Sequence, residues 1–284
     1  MSVITTARTG IRLLSLVAVL GATILLALAV SVCPSRRARR NLARRGLTTC
    51  CRWLLGALGV QRLRGGPTPP AGALLLANHL SWLDIPLVLA SYDCTFVAKH
   101  EVRRWPGIGV LGNALGVIWI ERRRPRDLLR VIPILEAALR AGQTVLLFPE
   151  GTTTNGHTVL PFRSGLLDAA VRANAPVLPI ALSGAVRRGN LDALCWHGTE
   201  SLVANVPRVA ALEGARMRAH VGAPLGPVHD RKRLARAARD QLLRRFRRAL
   251  HHNMMLTTPP TYVPSARAKQ NFRPIESSDR EILA

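Results

Sequence analysis

Ala73-Leu74-Leu75-Leu76-Ala77-Asn78-His79-Leu80-Ser81-Trp82-Leu83-Asp84 opens with five apolar residues and then turns abruptly polar. A short, unbroken apolar run predicts a strand buried on both faces, as in parallel sheets, rather than a half-solvated one. Its polar end then falls where open α/β sheets hold ligands. Similar runs recur downstream, and the expected strands cover 73–77, 95–98, 116–120, 144–148, 177–182 and 217–221. Periodic segments lie between them, the clearest at 126–140, with Leu128, Leu129, Ile132, Leu135, Ala138 and Leu139 at helical spacing. Strands alternating with helices predict an α/β fold, a mostly parallel sheet flanked by helices on both faces. The order of the strands is not written in this pattern.

His79 and Asp84 are the residues here with acid–base chemistry. If the next helix begins near Ser81, Asp84 sits about one turn inside it and can reach back to one imidazole nitrogen. That fixes the tautomer and leaves the other nitrogen free to take a proton. Ser81 reads as a helix cap rather than a nucleophile, because no glycine elbow surrounds it. No second histidine stands at metal-ligand spacing, so no metal is expected.

A second polar block, Phe148-Pro149-Glu150-Gly151-Thr152-Thr153-Thr154-Asn155-Gly156, again follows an apolar strand. Glycine and hydroxyl residues at a strand end expose backbone N–H groups suited to an anionic or strongly polar headgroup, though an ordinary threonine-capped turn has the same composition. It is not a P-loop, since the closing Gly-Lys-Ser/Thr is missing.

Upstream, residues 13–32 form twenty positions without a charge, long enough as a helix to cross a hydrocarbon core. Arg36, Arg37, Arg39, Arg40, Arg44 and Arg45 follow at once, against Arg8 and Arg12 before the span. This asymmetry, an apolar stretch longer than a signal peptide's and the dense basic run directly after it favour a membrane span over a signal peptide or soluble core helix and place the following chain in the cytoplasm. A further apolar stretch, 47–60, is interrupted by Arg52 and reads as an interfacial helix. Gly65, Gly66, Pro67, Pro69 and Pro70 then suggest a boundary. The expected organisation is an anchor at 1–66, a catalytic domain at 67–252 and a disordered tail at 253–284. Asp230 is expected to cap a last helix to about Leu250. Its nine basic residues between Arg231 and Arg248 fit either a solvated face or one against anionic lipid.

Over the 284 residues, 40 Lys and Arg against 16 Asp and Glu leave a net charge of +24, which calls for a polyanionic partner. Only Lys99, Lys232 and Lys269 are lysines, a bias that a GC-rich genome can produce alone. Aromatic residues at 4% are too few for base stacking, so the expected partner is a membrane and not nucleic acid. Cys33, Cys50, Cys51, Cys94 and Cys195 are odd in number, without CxxC spacing, and read as reduced thiols.

Asn78 to Asp84 resembles the N-H-x-x-x-x-D block of the glycerolipid acyltransferases, and Phe148 to Thr152 resembles their F-P-E-G-T block. Gly116, Ile118 and Arg122 in Gly-Val-Ile-Trp-Ile-Glu-Arg, the Val177-Leu178-Pro179 block, and Lys99 fall in the family's order, over about residues 71–222. The resemblance implies a glycerol-3-phosphate acyltransferase-like fold and a membrane enzyme of phospholipid biosynthesis on the cytoplasmic face of the inner (plasma) membrane. His79 would be the general base, and Asp84 would orient it. The acyl group would pass from acyl-CoA or acyl carrier protein to a lysolipid hydroxyl, with no cofactor. Lys99 and Arg122 would hold acceptor phosphate, and Glu150, Gly151, Thr152 and Thr153 would shape the acceptor site. Phosphatidic-acid-forming members usually carry Arg after E-G-T where this chain has Thr153. That departure points also to acceptors such as lyso-ornithine lipid or zwitterionic lysophospholipids, with Arg163 as a substitute cation. The competing class is a non-enzymatic membrane- or nucleic-acid-binding module built on the same blocks.

Overall fold

A computed structural model describes residues 3–121, 124–226 and 229–256. The chain begins with two long helices, α1 (Val3–Val32) and α2 (Arg36–Ala57). Pro34 and Ser35 separate them, and the Ser35 hydroxyl accepts from the Ala38 N–H to start α2. The basic run is therefore the first part of α2. The apolar stretch expected to lie in a membrane interface is its second part, where Cys50, Cys51 and Leu55 are buried.

Seven strands follow among the described residues: β1 (Val60–Gly65), β2 (Leu74–Ala77), β3 (Thr95–Lys99), β4 (Ile118–Ile120), β5 (Val145–Leu147), β6 (Val177–Val186) and β7 (Ala215–Val221). They form one sheet in the order β1-β7-β6-β2-β5-β3-β4. All neighbours run parallel except β6 and β7. The six expected strands are present. β1 is an addition, an edge strand whose Arg62 and Arg64 made it look polar. It pairs with β7, so the Gly- and Pro-rich break at 65–70 links two strands of one sheet, and the sheet begins inside the residues expected to form only the anchor.

The intervening helices are α3 (Asp84–Leu89), α4 (Ile108–Leu115), α5 (Pro125–Arg140), α6 (Asp168–Ala173), α7 (Leu202–Ala211) and α8 (Arg231–Leu256). Alternate side chains of each strand enter different cores. Leu75, Ala77, Leu146, Phe148, Leu178 and Ile180 join α1, α2, α3, α4 and α7 on one face. Leu74, Leu76, Val145, Leu147 and Val177 join α5, α6 and α8 on the other. Both faces are dry along β2, β5 and most of β6, which is why these strands read as continuous apolar runs. α8 starts at the expected Asp230, whose Oδ1 accepts from the Lys232 N–H. It runs to Leu256, into the expected tail, the remainder of which lies outside the described residues. Because α8 packs on the face opposite α1 and α2, the sheet separates its basic residues from the apolar helix.

α1 is long and apolar enough to cross a membrane, yet it packs along α2, α4 and α7. Leu14, Val17, Leu25, Leu28 and Val32 are left exposed on it. At its start Arg8 donates to the Ala211 carbonyl, and Arg12 to those of Ala210 and Leu212, the free acceptors at the end of α7.

Candidate active site

β2 is central, with β5 and β6 on either side, and the chain leaves it toward β3 and later crosses back from β5 to β6. The crevice at its carboxyl end is therefore a topological switch point. Buried Asn78 continues the sheet through its side chain, donating from Nδ2 to the Leu182 carbonyl at 2.9 Å and accepting from the Leu182 N–H at 2.8 Å. The backbone is thereby released to turn at His79.

Asp84 is the first residue of α3, one turn earlier in that helix than expected, and is fully buried. Its Oδ2 accepts from the Leu80 N–H at 2.8 Å and the Ser81 N–H at 2.9 Å, and lies 2.7 Å from His79 Nδ1. A carboxylate only accepts, so Nδ1 carries the proton and Nε2 keeps its lone pair. The His79 ring stacks on Phe148, with centroids 4.0 Å apart and planes 19° from parallel. The Ser81 hydroxyl accepts from the Leu83 N–H and is fully buried, consistent with a cap and not with a nucleophile.

Glu150, expected to shape the acceptor site, is only 3% exposed. Its Oε1 accepts from the His79 N–H and its Oε2 from the Leu160 N–H, each at 2.9 Å. Both oxygens are committed to backbone, so Glu150 positions the histidine loop. Burial pushes its carboxyl up to about 7, and the charge of Asp84 adds to this, against the pull of the two amides. Thr154 completes the clamp, donating to the His79 carbonyl from its N–H at 2.9 Å and from its hydroxyl at 3.2 Å.

Gly151 has φ +73°, and a Cβ there would lie 3.2 Å from Arg163 Nε. The guanidinium of Arg163 therefore lies against the turn, and the backbone N–H of Arg163 donates to the Pro149 carbonyl at 2.9 Å. Thr152 is exposed and Thr153 half-buried beside it. Lys99 ends β3 on the same sheet edge and pairs with Glu101 at 3.2 Å. Arg122 lies outside the described residues.

The motifs did not single out Asn205, a buried residue of α7. Its Oδ1 accepts from Trp82 Nε1 at 2.9 Å, and its Nδ2 donates to the Cys195 carbonyl and to Glu200 Oε2. Trp82 stands in the His79 loop, 123 residues away in sequence, and no local pattern pairs the two.

Fold and geometry together place a hydrogen-bonded histidine–aspartate pair at the carboxyl edge of a mostly parallel sheet. The model of the acyltransferase family matches residues 62–183. The 1-acyl-sn-glycerol-3-phosphate acyltransferase of Neisseria meningitidis serogroup B is 40% identical over 133 residues, 46% of this chain and 52% of that one. The lyso-ornithine lipid O-acyltransferase of Pseudomonas aeruginosa is 37% identical over 205 residues, 70% of this chain and 76% of that one. The chain thus spans about half the length of the Neisseria relatives and three quarters of the Pseudomonas one. The crystal structure of the 1-acyl-sn-glycerophosphate acyltransferase of Thermotoga maritima has the same fold, with TM-score 0.65 at 20% identity, over 87% of this chain and 98% of that one. The chain belongs to the acyltransferase family.

Proposed function

We propose that this chain transfers a fatty acyl group from acyl-CoA or acyl carrier protein to the hydroxyl of a membrane lysolipid. The observation that carries the reading is the dyad, with His79 Nδ1 locked on buried Asp84 and Nε2 left as base. Nε2 takes the proton of the acceptor hydroxyl as its oxygen attacks the thioester carbonyl. The tetrahedral adduct collapses, the C–S bond breaks, and the thiolate receives the proton from the imidazolium, giving ester and free thiol. Asp84 stabilises the imidazolium between the two transfers. The thioester arrives activated, so the reading calls for no cofactor.

Arg163, Lys99 and Arg122 are proposed to hold the acceptor's headgroup, with Gly151, Thr152 and Thr153 forming the turn beside it. A 1-acylglycerol 3-phosphate fits these cations. Lyso-ornithine lipid is the second reading, favoured by Thr153 after Glu-Gly-Thr and by the longer match to the Pseudomonas relative.

We place α1 in lipid through its exposed apolar stripe, on the cytoplasmic face of the membrane. The bonds of Arg8 and Arg12 to α7 support an anchor held along the domain, both ends on one side of the bilayer.

Thiol release from acyl-CoA and acyl carrier protein, measured over a lysolipid panel, tests the reading. Turnover is expected with at least one pair and is lost in His79→Ala while folding and membrane association persist. A fully active His79→Ala protein would sink the base assignment. No turnover with any pair, together with tight salt-sensitive polyanion binding, would support the binding module instead.

A further inference from the structure

A cavity of about 540 Å³ opens at the amino ends of β2, β3 and β5, the sheet edge opposite His79. Arg37, Arg40 and Arg44 of α2 line it, with Asp93, Thr95 and Thr144 from the loops that enter the strands. Arg44 pairs with Asp93, whereas Arg37 and Arg40 make no ion pair or hydrogen bond among the described residues. Thr95 is 4% exposed, and its hydroxyl has no hydrogen-bond partner among the described residues. A buried, unpaired hydroxyl is costly, and like charges gathered around a concavity repel. Both costs fall if an anion with several acceptor oxygens occupies the space.

We propose that this cavity binds a phosphate group, a site separate from the acyl-transfer centre. Phosphate oxygens match the planar forks of two free guanidiniums and can accept from a hydroxyl at the same time. Arg40 also lines the adjoining groove with Val30 and Ser31 at the end of α1. That places the cavity beside the end of the apolar helix, where phospholipid headgroups lie if α1 is embedded, and makes the phosphodiester of an anionic phospholipid the favoured source over free phosphate.

Thermal unfolding of the full chain in detergent tests this without turnover, so the outcome is separable from that of the acyl-transfer reading. The probes are inorganic phosphate and dihexanoyl phosphatidylglycerol, which is neither of the two acceptors named above nor the product of acylating either. A ligand of the folded state raises the midpoint with its concentration. The lipid is expected to do so in the wild type and in an Arg233→Ala/Arg236→Ala control on the opposite face. Arg37→Ala/Arg40→Ala is expected to abolish the shift, and the same-shape Thr95→Val to weaken binding roughly tenfold. A shift with phosphate alone that is lost in the same variants supports the site with the free anion as its source. Absence of a shift with both probes, or a shift that persists in Thr95→Val and in the arginine variant, overturns the proposal.

Discussion

Among the described residues, Asp84 uses one oxygen, Oδ2, for all three of its side-chain hydrogen bonds, while buried Oδ1 has none. Asp84→Asn can therefore keep every acceptor contact and remove only the charge. Turnover is expected to fall about 10²- to 10⁴-fold, with little change in KM and with the fold intact by circular dichroism. An unchanged kcat would show that the imidazolium does not need the carboxylate. Glu150 behaves differently, because burial raises its carboxyl from 4.5 to about 7. A carboxyl raised in the folded state contributes stability below its unfolded value, and that contribution is lost as pH climbs to the folded one. The wild-type unfolding midpoint is thus expected to decline between pH 4.5 and 7 relative to Glu150→Gln, which has no such titration. The dyad's partners were legible from spacing and from the family blocks. The role of Glu150 was not, since a carboxylate in a polar turn looks the same whether it faces substrate or two amides from distant loops.

The site depends on how the loops after β2 and β5 grip each other. Gly151→Ala places a methyl against Arg163 in a backbone conformation that L side chains rarely adopt. It is expected to cost about 1 kcal/mol or more in stability and to raise KM for the lysolipid by displacing the guanidinium, measured by denaturant unfolding and initial rates. On the other flank, α7 holds Trp82 through Asn205. Asn205→Ala removes the acceptor of the Trp82 N–H, while Glu200 and the Cys195 carbonyl keep Arg208, and a loss of about 1–3 kcal/mol is expected. Retention of wild-type stability would show that water replaces the amide. β2, β4, β5 and β6 were predictable because each is apolar on both faces, whereas β7 alternates buried residues with exposed Arg216 and Arg218. α4 and α7 were not, because a short helix carries too few turns for a clear period, and β1 was missed because an edge strand keeps charged side chains in water.

At the scale of the whole molecule, the sheet divides the protein into a face bearing α1 and α2 and a face bearing α5, α6 and α8. Leu14 and Leu25 are 73% and 68% exposed on α1, and each contributes about 1.5–3 kcal/mol when fully buried in an apolar phase. Leu14→Glu/Leu25→Glu is therefore expected to shift the protein from the membrane pellet to the supernatant while turnover on a short-chain acceptor in detergent persists. An unchanged pellet fraction would show that the stripe does not hold the lipid. The charge of +24 by itself pointed to a polyanionic surface, but only the packing shows that the basic helix α8 and the basic start of α2 lie on opposite faces. Sequence alone determined the α/β class, the buried strand that leads into His79, the His79 and Asp84 pair and the apolar helix, because each is written in neighbouring residues and their local periodicity. Only the tertiary structure decided the strand order, the commitment of Glu150 to backbone, the bond from Trp82 to Asn205 and the arginine-lined cavity. Those contacts join segments that are far apart along the chain and meet only when both faces of the sheet are covered.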